Sequence, residues 1–182
     1  MNEIPIITEQ SSMREVLTHF PSAQRALFAK YHIGGCRSCS FDQKETVAEL
    51  CVRNENIPVD EMLEVIRESY VKDQSLFLAA TEVAGWIEKG AMLLDMRTRE
   101  EYDAVHVTGA ISITQEMIQE GFAKWAKDQK ILIYDHRGEH VLDVVAYFQG
   151  HGFAETKGIR GGIDAYSVEV DSSLPRYRIE LE

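Results

Sequence analysis

A chain of 182 residues with 30 acidic against 19 basic side chains, net charge −11, is a poor ligand for nucleic acid or an anionic lipid surface. A hydrophobic content of 45% excludes a disordered chain. The three cysteines, Cys36, Cys39 and Cys51, are too few for a disulfide-built scaffold, and all fall in the first third. The first residues show no basic segment followed by an apolar core, and no apolar run reaches membrane-spanning length, so the cytoplasm is the expected compartment. In that reducing setting a cysteine pair points to redox or metal chemistry.

Residues 1–72 read as a small all-α domain. Ser12-Met13-Arg14-Glu15 has the spacing of a capping box, and Val16, Leu17 and Phe20 continue one apolar face until Pro21 interrupts it. A second helix is predicted from Ser22 to Tyr31, stopping at Gly34-Gly35. The loop Cys36-Arg37-Ser38-Cys39 follows. Thr46-Val47-Ala48-Glu49 is a second capping box, and Pro58 and Asp60 precede a last helix with Met62, Leu63, Ile66 and Tyr70 inward.

Residues 73–182 change character, alternating strand and helix patterns as an α/β domain with a parallel sheet does. Strands are predicted at Leu76-Phe77-Leu78, Met92 to Asp95, Ala110 to Ile113 and Ile131 to Tyr134. Helical segments fall at Thr81 to Lys89, Arg99 to Ala104, Gln115 to Lys127 and His140 to Gly150. Gly158-Ile159-Arg160-Gly161-Gly162 marks backbone that needs glycine near the end. The loop Asp135-His136-Arg137-Gly138-Glu139-His140 joins a buried strand to a helix. A tight glycine-containing loop at a helix N-terminus turns its amides inward and makes a cradle for an anion.

Several separated motifs in the second half carry a resemblance. Leu94-Asp95-Met96-Arg97 with Glu101-Tyr102, His106-Val107-Thr108-Gly109-Ala110-Ile111, the Ile131-to-His140 strand and loop, and Arg160-Gly161-Gly162-Ile163-Asp164-Ala165-Tyr166 follow the order and spacing of the rhodanese-like family. The resemblance implies a parallel sheet flanked by helices, with the active loop at a strand's C-terminal end, where family members carry sulfane sulfur on a cysteine. Here Asp135 stands at that position, so the resemblance implies a loop that does not carry sulfur. Val105 replaces the usual glycine before His106, and His140-Val141 departs from the usual arginine and small residue. The first half, through Tyr31-His32-Ile33-Gly34-Gly35-Cys36-Arg37-Ser38-Cys39 and Glu45-Thr46-Val47-Ala48-Glu49-Leu50, resembles a helical domain described as a hybrid-cluster-protein-associated redox disulfide domain. That resemblance implies a redox-active or cluster-associated pair.

These residues define the candidate sites. Cys36 and Cys39 are spaced to form a reversible disulfide, carry a persulfide or bind metal, and Arg37 between them favours the thiolate. Zinc or an iron–sulfur cluster needs further ligands, for which His32 and Cys51 are the candidates, although Cys51 sits among apolar residues and reads as a core thiol. Asp135, His136, Arg137, Gly138, Glu139, His140 and Arg160 form the anion or ligand loop, with Arg160 expected to face it and hold an anion or Asp135 itself. Asp135 reads equally as a helix cap in a decayed site. Asp95, Arg97 and Glu101 read as a structural ion-pair network. His136 to His140 also spells H-x-x-E-H, a metallopeptidase pattern only if it lies on a helix. The expected role is a redox or sulfur-relay accessory whose partner is a redox or sulfur-carrier protein or a small anion. A sulfurtransferase that uses Cys36 or Cys39 as acceptor, a metal or iron–sulfur module and a binding scaffold are the alternatives.

Overall fold

Two stretches of chain, residues 4–34 and 41–176, are described by the computed structural model. By its internal contacts the chain separates into two units, Met1–Ser75 and Leu76–Glu182. Cys36, Arg37 and Cys39 lie outside the described residues.

In the first unit the helices are α1 (Met13–His19), α2 (Ala23–Tyr31), α3 (Val47–Arg53) and α4 (Val59–Leu76). Both capping boxes form as their spacing predicts. The Glu15 carboxylate accepts from the Ser12 amide at 2.8 Å, and that of Glu49 accepts from the Thr46 amide at 2.8 Å. Each Ser/Thr hydroxyl in turn accepts from the amide three residues on, which supplies partners for donors the helix itself leaves open. The helices close over Met13, Val16, Phe20, Leu27, Leu50, Met62 and Ile66, all fully buried. Each such side chain contributes about 1.5–3 kcal/mol relative to exposure. Cys51 belongs to this core at 1% exposure, and burial pushes its thiol above the ordinary range.

The second unit is built on one parallel sheet in the order β1-β5-β4-β2-β3. Its strands are β1 (Phe77–Leu78), β2 (Met92–Asp95), β3 (Ile111–Ser112), β4 (Ile131–Tyr134) and β5 (Thr156–Ile159). A single 3-10 turn, Ala80–Glu82, precedes α5 (Val83–Ile87). Then come α6 (Arg99–Ala104), α7 (Gln115–Lys124), α8 (Val141–Gly150) and α9 (Gly162–Glu169). Strand β4 shows why a run of four apolar residues is central. Leu132 and Tyr134 join one buried cluster with Leu78, Val83 and Ile163, whereas Ile131 and Ile133 join another with Val145, Phe148 and Phe153. The two-residue period thus fills the helix layers on both faces, as parallel sheets require.

The α/β fold with a parallel sheet is the one expected, with differences at its margins. Leu76 ends α4 rather than opening β1, and α7 stops at Lys124, where Trp125 turns to extended backbone. Strand β5 and helix α9 are named by no sequence signal beyond their glycines. The strand is a short Thr-Lys-Gly-Ile run without alternation, and α9 mixes Gly162, Asp164 and Ser167 into its inner turns. Val105 is tolerated in place of glycine because its backbone is extended, with φ −161°.

A carboxylate-filled loop at the end of β4

The C-terminal ends of β2, β4 and β5 lie side by side, so the segments leaving them converge, as ligand sites do in open parallel sheets. From β4 the chain enters residues 135–140. Asp135 is buried, and its side chain turns back over its own loop: one carboxylate oxygen accepts from the Gly138 amide and the other from the His140 amide at 2.8 Å. Two inward-pointing donors of the cradle are therefore taken by an internal anion. Charge-assisted bonds of this kind are the strong ones.

The outer side of the loop is fixed by α9. Its Ile163 and Asp164 amides donate to the carbonyls of Asp135 (3.0 Å) and His136 (3.1 Å). Gly162 makes that approach feasible: at φ +58° a side chain there is strained, and a β-carbon would collide with the Asp135 carbonyl oxygen and the His136–Arg137 peptide. Asp164 also binds Arg176 through two hydrogen bonds of 2.8 and 2.9 Å. Arg176 holds the Asp164 carboxyl below the usual carboxylate range, and His136 and Arg137 act in the same direction.

Beneath the loop, at the end of β2, Arg97 binds Asp95 in a fork (2.6 and 3.0 Å) and donates to the Val105 carbonyl at 2.7 Å. These side chains are 2% and 0% exposed. Burial pulls the Arg97 guanidinium down, and the Asp95 carboxylate more than offsets this, so its pKa lies above the ordinary value. The Tyr134 hydroxyl accepts from the Val107 amide at 3.2 Å, and burial pushes its pKa far up. Asp95 and Arg97 thus form the structural pair suggested by their spacing. Glu101 does something else. One carboxylate oxygen caps α6 by accepting from the Thr98 amide and hydroxyl, each at 3.1 Å, and the other lies 3.9 Å from Nδ1 of His136.

Over this floor opens a cavity of about 570 Å³, lined by Met96, Arg97, Thr98, Glu101 and five of the loop residues, Asp135, His136, Arg137, Glu139 and His140. That volume suits a small molecule or one inserted side chain. Gly138 supplies an amide to Asp135 and is not among the lining residues. The Arg160 guanidinium lies over the Phe77 ring at 4.8 Å. The H-x-x-E-H letters lie before α8, which starts at Val141, so the two histidines do not share a helical face. Among the described residues no group of three or more His, Cys, Asp or Glu side chains is arranged to hold a metal ion. His32 caps α2 in a left-handed conformation, and Cys51 lies inside the first unit's core. Sequence reading did not join Glu101 to His136. The two are 35 positions apart, and only the sheet order brings them together.

The rhodanese-like domain family covers residues 79–169, half of the sequence, and the chain belongs to that family. Among curated proteins it is 29% identical over 100 residues to a probable adenylyltransferase/sulfurtransferase MoeZ of Mycobacterium tuberculosis, covering 53% of this chain and 26% of that protein. It is 24% identical over 79 residues to the thiosulfate sulfurtransferase GlpE of Pseudomonas savastanoi, covering 43% of this chain and 74% of that one. The chain therefore spans about a quarter of the first of these relatives and most of the second. A Bacillus halodurans protein of solved structure overlays with a TM-score of 0.49 at 23% identity, over 66% of this chain and 93% of its own. No helix among the described residues is long and apolar enough to cross a membrane.

Proposed function

We propose that the second unit is a rhodanese-like domain that does not itself carry sulfur, and that the chain works as a redox or sulfur-relay accessory through Cys36 and Cys39. The observation that carries this reading is the Asp135 carboxylate seated on the amides of its own loop. By the motif order, Asp135 stands where sulfurtransferases of this family place a cysteine. An aspartate has no sulfur with which to form a persulfide, and its carboxylate occupies donors that would otherwise steady a thiolate or an incoming anion. The second unit contains no cysteine, so covalent sulfur chemistry falls to the first. The partner in this reading is a sulfur-carrier or redox protein.

A thiosulfate-to-cyanide assay tests the proposal. The wild-type loop contributes no turnover, whereas Asp135→Cys gains a weak activity because the amides remain in place. Absence of activity in Asp135→Cys, with the fold intact, contradicts the reading of this loop. Turnover by the wild type that disappears in Cys36→Ser would favour the alternative in which the first unit's pair is the sulfur acceptor. A redox titration of Cys36 and Cys39 bears on the electron-carrying version, which fails if the pair never forms a disulfide across physiological potentials.

A further inference from the structure

Glu101 and His136 are the part of the cavity that the sulfur-relay reading leaves unused. Glu101 is 12% exposed and is held on one oxygen by Thr98, and its second oxygen lies 3.9 Å from Nδ1 of His136, within ion-pair reach but beyond hydrogen-bond distance. His136 is held in turn by its backbone, whose carbonyl accepts from the Asp164 amide. A carboxylate at ion-pair distance from one ring nitrogen stabilises the protonated ring, and the other nitrogen, Nε2, is available to take the proton. His136 lines the cavity, and so does Met96, a soft apolar side chain that suits a sulfur atom as neighbour.

We propose that His136, with the Glu101 carboxylate at ion-pair distance, is a general base that deprotonates a low-molecular-weight thiol bound in this cavity. The inference rests on the reading of residues 135–140 as a loop without its own sulfur, and it names what the cavity receives: a thiol brought from outside, since the second unit has none. The proton passes from the S–H group to Nε2 of His136. The bonding electron pair stays on sulfur, giving a thiolate, and the imidazolium is balanced by Glu101. Charged groups also reach this ring from the other elements around it. Asp164 on α9 acts on it and is itself tied to Arg176, Arg97 below is neutralised by Asp95, and Arg137, Glu139 and His140 share its loop. Carboxylates outnumber the remaining guanidinium there, so a cationic thiol is preferred to an anionic one.

Full-length protein with Cys36→Ser and Cys39→Ser removes the reactive pair of the first unit. Alkylation of cysteamine by iodoacetamide, which forms an S–C bond and releases iodide, is followed from pH 5 to 9. The expected result is a saturable acceleration over equimolar free imidazole of about 10-fold near neutral pH, where most free cysteamine is still protonated, fading toward pH 9 where it is largely thiolate, and a smaller one with anionic mercaptoacetate. His136→Gln loses it. Glu101→Gln keeps the α6 cap, which glutamine also supports, yet slows the reaction and displaces its pH profile, which a purely structural role would not do. A His136 ring resonance that moves on cysteamine addition to the His-containing protein gives a readout independent of any variant's folding. A wild-type rate equal to that of imidazole, an undiminished rate in folded His136→Gln, or a ring resonance unmoved by cysteamine overturns the proposal. If Asp135→Cys gains sulfurtransferase activity while cysteamine is not activated, the loop reading stands and this inference alone fails.

Discussion

Asp135 sets the character of the site through two bonds to its own loop. Replacing it with alanine leaves the Gly138 and His140 amides without an acceptor. Because the site is half-buried, the cost is about 1–3 kcal/mol. The vacated cradle then accepts an outside anion. Thermal unfolding is expected to show a lower midpoint for Asp135→Ala, with added sulfate recovering part of the loss, and no comparable sulfate effect on wild type; equal sulfate responses would contradict the picture of an internally filled cradle. One strand residue earlier, the Tyr134 hydroxyl satisfies the Val107 amide in a fully buried setting. Tyr134→Phe removes that acceptor and is expected to cost about 1–3 kcal/mol in chemical denaturation with an unchanged m-value.

At the scale of elements, the loop owes its shape to α9. Gly162→Ala adds a side chain at φ +58° that collides with backbone of the loop. The strain is of order 1–3 kcal/mol, and the amide resonances of residues 135–140 are expected to shift together. The clasp between α9 and Arg176 has a pH signature. Asp164 is depressed in the folded state, so its contribution is present above the ordinary carboxylate range and is lost as pH falls through the folded value. Asp164→Asn should lower stability at neutral pH, where the clasp is fully present, and flatten that acid limb, with little effect below the folded value. In α4 the sign is opposite. Burial raises Asp73 against the pull of Arg25, 3.6 Å away, so that its ionisation works against folding as pH rises.

These elements also show what a sequence carries. Ser12, Thr46 and the four apolar residues of β4 state their structure locally, through a cap three residues long or a period of two. Strand β5 and helix α9 do not, because their residues are chosen for close approach to the loop rather than for an apolar face. The loop itself was legible from Asp135 to His140. Glu101 as its partner, and Arg160 turned onto Phe77, depend on strand order, which no local pattern encodes.

Over the whole molecule, the chain holds separate cores: one in Met1–Ser75, and the two faces of one sheet in Leu76–Glu182. Each unit is expected to fold alone. A fragment beginning at Leu76 should keep the amide fingerprint that it shows in the full chain. In the proposed division of labour, the first unit supplies thiols and the second a shaped cavity whose cradle is already filled. The most direct measurement is thiosulfate-to-cyanide sulfur transfer by full-length protein with both Cys36 and Cys39 changed to serine. No turnover above background is expected, because no thiol then remains outside a buried core. Turnover in that protein, abolished by Asp135→Ala, would show that the second unit performs the chemistry with its carboxylate and would contradict the account.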